Sequence, residues 1–197
     1  MSDLVIRDVL IVDGTGHAPF QGDVAVTDGR IEAVGKLTNN GAEVINGTGL
    51  ALAPGIIDSH THYDAQITWD PWTNPSVSLG VTSIIMGNCG FTIAPCRETD
   101  RALTLQNLTQ VEGMSLAALT KGTQWGFTSF EQYLDFLEEK GTGPNVACYC
   151  GHSSLRMYVM GAAATERVAT DSEITEMKKL LAVALEAGAC GFATSTF

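Results

Sequence analysis

The feature that most constrains this chain is a change of rhythm at Pro54. From there, short continuous apolar runs alternate with helix-length segments: GIIDS (55–59), VTSIIMGN (81–88), NVACYCG (145–151) and ACGFATSTF (189–197). Runs that are apolar throughout, rather than at every second position, suit strands covered on both faces, as in parallel sheets with helical crossovers. GIIDS accordingly reads as a short buried strand. A helical stretch ending near Gly80 precedes the second run. The later helices carry their own punctuation. In TSFEQYLDFLEEKG, Thr128 and Glu131 are spaced as a capping box and Gly141 is the stop. In TDSEITEMKKLLAVALEAG, Thr170 and Glu173 repeat that spacing and Gly188 ends the helix, with Ile174, Met177, Leu180, Leu181, Ala184 and Leu185 on its apolar face. The pattern predicts an α/β fold of about four βα units, half of what an eight-stranded barrel needs.

Residues before Pro54 follow another period. LVIRDVLIVDG is rich in Val and Ile, and DVAVTDGRIEAVG sets Asp28-Gly29 between two alternating runs, the strongest short-range hairpin signal. AEVINGTGLALAPG adds one or two short strands. The expectation is a small antiparallel sheet over 1–53, followed by a βα region over 54–197.

Charge and composition exclude several functions. The net charge of −11 leaves no basic stripe to neutralise phosphates, so no nucleic-acid partner is expected, and an anionic membrane surface is disfavoured. No run of about 18 apolar residues is present to span a bilayer. The opening MSDLVIRDVL lacks the basic and apolar regions of a signal peptide. Five cysteines without framework spacing suit reduced thiols, and a cytoplasmic location is expected.

In βα folds the functional groups gather at the C-terminal strand ends. Here those ends offer Asp58, His60 and His62, then Asn88 and Cys89, then Cys150, His152, Ser153 and Arg156, then TSTF. His60 and His62 are two apart, so on extended backbone both imidazoles face one side, an arrangement that suits Zn²⁺. The alternative is a pair of hydrogen-bonded loop histidines; the preceding strand, Asp58 and the following HYDAQ favour the metal. Cys89 is open to three readings: metal thiolate, nucleophile activated by a base such as His152, or packed small hydrophobe. His152 is placed to bond substrate, to support a ligand or to serve the fold. Arg156 can pair with a substrate carboxylate or with a surface acid. Cys96, Cys148 and Cys190 read as core or loop residues, and His17 as exposed.

These segments meet a known pattern. IRDVLIVDGTG, DVAVTDGRIEAVG and APGIIDSHTH resemble the opening of the amidohydrolase superfamily, metal-dependent hydrolases with a small β-sandwich beside a (β/α)8 TIM-like barrel. More narrowly, PGIIDSHTHYDAQ, VTSIIMGNCGFTIAPC, GHSSLR and ALEAGACGFATST resemble the N-acyl-D-amino-acid deacylase, or D-aminoacylase, family. The resemblance implies that 1–53 is part of the small β-sandwich and 54–197 the first half of the barrel. It implies one or two Zn²⁺ ions held by His60, His62 and Cys89, the cysteine standing where many relatives place a carboxylated lysine on strand four; ACGFATST has no lysine. The implied reaction is zinc-dependent hydrolysis of the linear amide of an N-acyl-D-amino acid, with His152 and Arg156 as candidate substrate contacts. The implied catalytic aspartate follows strand eight, beyond Phe197, so an incomplete chain of low or no activity is expected, with self-association through exposed half-barrel edges. Two alternatives stand beside this: a cyclic-amide enzyme of hydantoinase or dihydroorotase type, and a non-catalytic half-barrel module completed by a partner.

Overall fold

The computed structural model describes residues 2–38 and 40–195. It divides into two units, Met1–Gly55 and Ile56–Phe197.

The first unit is a five-stranded sheet of β1 (Ser2–Ile11), β2 (Phe20–Thr27), β3 (Arg30–Gly35), β4 (Gly41–Asn46) and β5 (Ala51–Leu52). Its order is β3-β2-β1-β4, with β5 also on β1. The β2–β3 turn holds Asp28 at φ 51° and Gly29 at φ 69°, the two positive angles a tight hairpin turn needs and Asp-Gly accepts. The expected antiparallel sheet is in fact mixed, because β4 and β5 both run parallel to β1. After β3 the chain crosses to the far side of β1 and enters in the direction of β1, a step that strand periodicity alone cannot encode. Val5, Val9, Ile11, Val24 and Ala25 are buried, whereas Ile31 and Val44 stay exposed.

The second unit is a parallel sheet in the order β6-β7-β8-β9, from β6 (Ile56–Asp58), β7 (Val81–Met86), β8 (Asn145–Gly151) and β9 (Gly191–Ala193). Around it lie α1 (Arg101–Leu108), α2 (Leu116–Gly122), α3 (Phe130–Lys140), α4 (His152–Met160) and α5 (Asp171–Ala187). Ile84, Met86, Cys148 and Cys150 share one core with Phe127, Tyr133, Leu137 and Leu155. Tyr133 is fully buried, and its hydroxyl donates to the Asp64 carbonyl at 2.9 Å, which satisfies the polar end of the ring.

Four local expectations change. The α3 capping box is Ser129 with Gln132, one residue later than Thr128 with Glu131. Gln132 Oε1 accepts from the Ser129 and Thr128 N–H groups together, so this register satisfies more orphan donors. The stretch before Gly80 forms two 3-10 turns, Gln66–Thr68 and Val77–Leu79, because Pro71 and Pro75 interrupt any longer helix. On α5 the Thr170–Glu173 box forms and Gly188 closes the helix at φ 119°, but only Met177 and Ala184 are fully buried. Ile174 and Leu185 remain exposed. Finally, β6 is not buried. It lies at one end of the sheet, and Ile57 is 67% exposed.

Candidate metal centre

All four strands of the second unit point the same way, so their C-terminal ends form one rim. His60 and His62 follow β6. Their rings stand 5.4 Å apart between centroids, at 65° to one another. Cys89 follows β7, in a turn framed by Gly87 at φ 79° and Gly90 at φ 78°. A Cβ at Gly87 would run into the Tyr149 carbonyl oxygen, and one at Gly90 would sit 2.9 Å from the Ala193 carbonyl oxygen. Glycine therefore lets this turn lie directly on β8 and β9. Cys89 itself is held at φ 56°, a left-handed conformation that costs a non-glycine residue about 1 kcal/mol. Its carbonyl accepts from Ser195 Oγ at 2.8 Å, beyond the fourth strand.

The outcome is a convergence. One ligand atom from each of His60, His62 and Cys89 lies within 4.8 Å of the others. Cys89 Sγ is 3.4 Å from His60 Nε2, close to the roughly 3.6 Å that separates two donors of a tetrahedral zinc ion. Among the described residues, His62 Nδ1 is buried and has no hydrogen-bond partner. Burial, and next the charge of His60, lower the pKa of His62, so its imidazole is the neutral, donating form. Two imidazoles and a sulfur are a donor set that can hold a soft-to-borderline divalent ion.

Carboxyl groups surround the histidines. Asp58 Oδ1 accepts the His60 backbone N–H at 3.3 Å. Asp64 is fully buried; its Oδ2 accepts from the Gly87 N–H at 3.2 Å, and burial pushes its pKa up to about 7. Glu112, after α1, lines the same 330 Å³ cleft as His60, His62, Tyr63 and Met114. Burial first, and the neighbouring Asp64 second, push the Glu112 pKa up to about 8. Sequence reading did not single out Glu112. It sits in a loop with no motif, and only the fold reveals that the residue is buried, at 6% exposure.

The other candidates lie farther along the rim. His152 begins α4; its Nδ1 bonds Thr194 Oγ1 at 2.9 Å and its ring packs near Phe192. Burial and then the charge of Arg156 lower its pKa. Cys89 is thus paired with His60 rather than with His152. Arg156 Nη2 donates to the carbonyls of Ala164 at 2.7 Å and Arg167 at 3.0 Å, which fastens the guanidinium to the turns beyond α4. Cys96, Cys148 and Cys150 are buried, and Cys190 is exposed. Among the described residues no helix is long and apolar enough to cross a membrane.

Fold and site together define the class: an α/β protein whose curled parallel sheet gathers histidine and cysteine donors at the carboxyl ends of its strands. Residues 43–197 match the amidohydrolase family, and the chain belongs to it. It is 40% identical over 197 residues to N-acyl-D-aspartate deacylase of Alcaligenes xylosoxydans xylosoxydans, covering 100% of this chain and 37% of that protein. The crystal structure of a D-aminoacylase superposes with a TM-score of 0.83 at 34% identity, over 98% of this chain and 38% of the other. An N-acyl-D-glutamate deacylase from Bordetella bronchiseptica, crystallised with zinc and a phosphonate mimic of the tetrahedral intermediate, superposes with a TM-score of 0.81 at 33% identity, over 98% and 38%. The chain thus spans a little over a third of the length of these relatives.

Proposed function

We propose that this chain carries the first metal-binding strand ends of a zinc-dependent hydrolase that cleaves the linear amide of N-acyl-D-amino acids. The observation that carries the reading is the convergence of His60, His62 and Cys89 within 4.8 Å. The names of its relatives support the substrate class. When bound, zinc supplies Lewis acidity toward an amide carbonyl and acidifies water to a pKa of about 7. The chain's own residues do the rest of what is assigned here. His60 and His62 present imidazole nitrogens, and Cys89 presents sulfur in place of an oxygen ligand. Asp58 orients the His60 backbone. His152, at the end of the third strand, is assigned as a substrate contact, and burial first, then the charge of Arg156, favour its neutral form. We assign no proton-transfer group within these residues.

The test is release of free D-amino acid from N-acetyl-D-aspartate, N-acetyl-D-glutamate and N-acetyl-D-methionine, by protein isolated from its natural source. Metal-dependent release from the D but not the L enantiomers, lost in His62→Asn, is the expected result. Opening of a hydantoin with no deacylation would move the assignment to cyclic amides. Failure to bind zinc would remove both.

A further inference from the structure

Three of the hydrogen bonds that join the two segments carrying the candidate ligands meet at one oxygen atom. The Ile85 carbonyl, near the end of β7, accepts three hydrogen bonds: from the Thr61 backbone N–H at 3.1 Å, from Thr61 Oγ1 at 2.8 Å and from Asn88 Nδ2 at 2.9 Å. Asn88 Nδ2 also reaches the Thr61 carbonyl at 3.3 Å. Thr61 is the residue between His60 and His62, and Asn88 is the residue before Cys89. Both are buried, at 6% and 8% exposure, so neither side chain has water as a ready alternative partner.

We infer that Asn88 and Thr61 are positioning residues, a polar clasp through the Ile85 carbonyl that sets the distance between the two imidazoles and the thiol. The inference rests on reading His60, His62 and Cys89 as one metal site. The physical reason is one of reach. The β6–β7 register ends at Asp58 and Ile84, and past those residues the two ligand segments leave the ladder. Beyond that point the clasp, together with the Gly87 N–H to Asp64 Oδ2 bond, takes the place of ladder bonds. It also does so beside a cysteine held at φ 56°, where the backbone by itself prefers another conformation. Groups that orient ligands in this way typically account for about 10–100-fold in metal affinity.

The experiment is zinc binding by the 197-residue chain, measured by competition with a chromophoric chelator, together with the thiolate-to-cobalt charge-transfer band of the Co²⁺ form. Asn88→Ala is expected to weaken zinc by about 10–100-fold and to diminish the band, because the sulfur moves off the ion. Thr61→Val, which removes only the Oγ1 donor, is expected to lose about 10-fold. Thr61→Ser, which retains that donor, is expected to bind like the parent. A residue that served the fold alone would lower the unfolding midpoint of the metal-free protein and leave affinity and band intact; that pattern in Asn88→Ala overturns the inference. If Asn88→Ala does not fold, parental affinity and band in Thr61→Val overturn it. A parent chain that binds no zinc overturns this inference and the metal reading together, whereas a binding parent with unaffected variants removes the clasp alone.

Discussion

At the scale of the residue, Cys89 shows how the site is made. The turn that presents it depends on Gly87, where a side chain would meet the β8 backbone and where φ is 79°. Gly87→Ala is expected to destabilise the chain by about 2–4 kcal/mol, read as a lower denaturant midpoint, and to weaken zinc at the same time. An unchanged midpoint would show that β8 yields more readily than its carbonyl position suggests. Glu112 provides a pH test. Its folded-state pKa, about 8, stands above the ordinary glutamate value of 4.5, so the folded protein retains a proton that the unfolded chain releases. The stability this represents is complete below about 4.5 and declines as pH rises toward about 8. Glu112→Gln should therefore raise the unfolding temperature of the metal-free protein at pH 8 and change it little at pH 4.5; equal effects at both would sink the reading. His60 and His62 were singled out by their spacing and their place after an apolar strand, whereas the residues left Cys89 open among three readings and the family resemblance alone pointed to a ligand. Asn88 stood in view beside Cys89, but its role was not visible, because it depends on Thr61, 27 residues earlier in the chain, meeting the same carbonyl. Glu112 was hidden altogether, since burial is a property of the fold.

At the scale of the element, the helices follow their caps. Thr170 Oγ1 accepts the Glu173 N–H at 3.3 Å, and Glu173 also pairs with Arg167 at 2.7 Å. Thr170→Ala is expected to cost about 1 kcal/mol, measured by denaturant titration. The α3 register gives a sharper test, because Thr-Ser faces Glu-Gln and both pairs have the right spacing. Ser129→Ala should cost about 1 kcal/mol and Thr128→Ala less, since only Ser129 accepts the N3 amide. The reverse order would restore the register read from sequence. Periodicity marks the apolar face of α5 but not its burial. Six apolar positions mark a face, but how much of that face meets a neighbour is set by the packing, and Ile174 and Leu185 stay exposed.

At the scale of the whole molecule, both end strands of the parallel sheet carry exposed apolar side chains: Ile56 and Ile57 on β6, and Phe192 on β9. Exposed apolar edges favour association. Sedimentation velocity should show average mass rising with concentration, and Ile57→Lys with Phe192→Lys should suppress that rise. A constant monomer mass in the parent would count against it.

The sequence by itself determined the α/β class, the change of architecture near Pro54, the β2–β3 hairpin and the grouping of His60, His62 and Cys89 at strand ends. Each of these follows from local rules: side-chain period, turn chemistry and the direction of a parallel strand. Tertiary structure alone decided that β4 and β5 run parallel to β1, that β6 is an exposed edge, that Glu112 is buried against Asp64, and that Ile85 ties Thr61 to Asn88. These depend on contacts between residues far apart in the chain, whose free energies exist only once the sheet has brought its strand ends together.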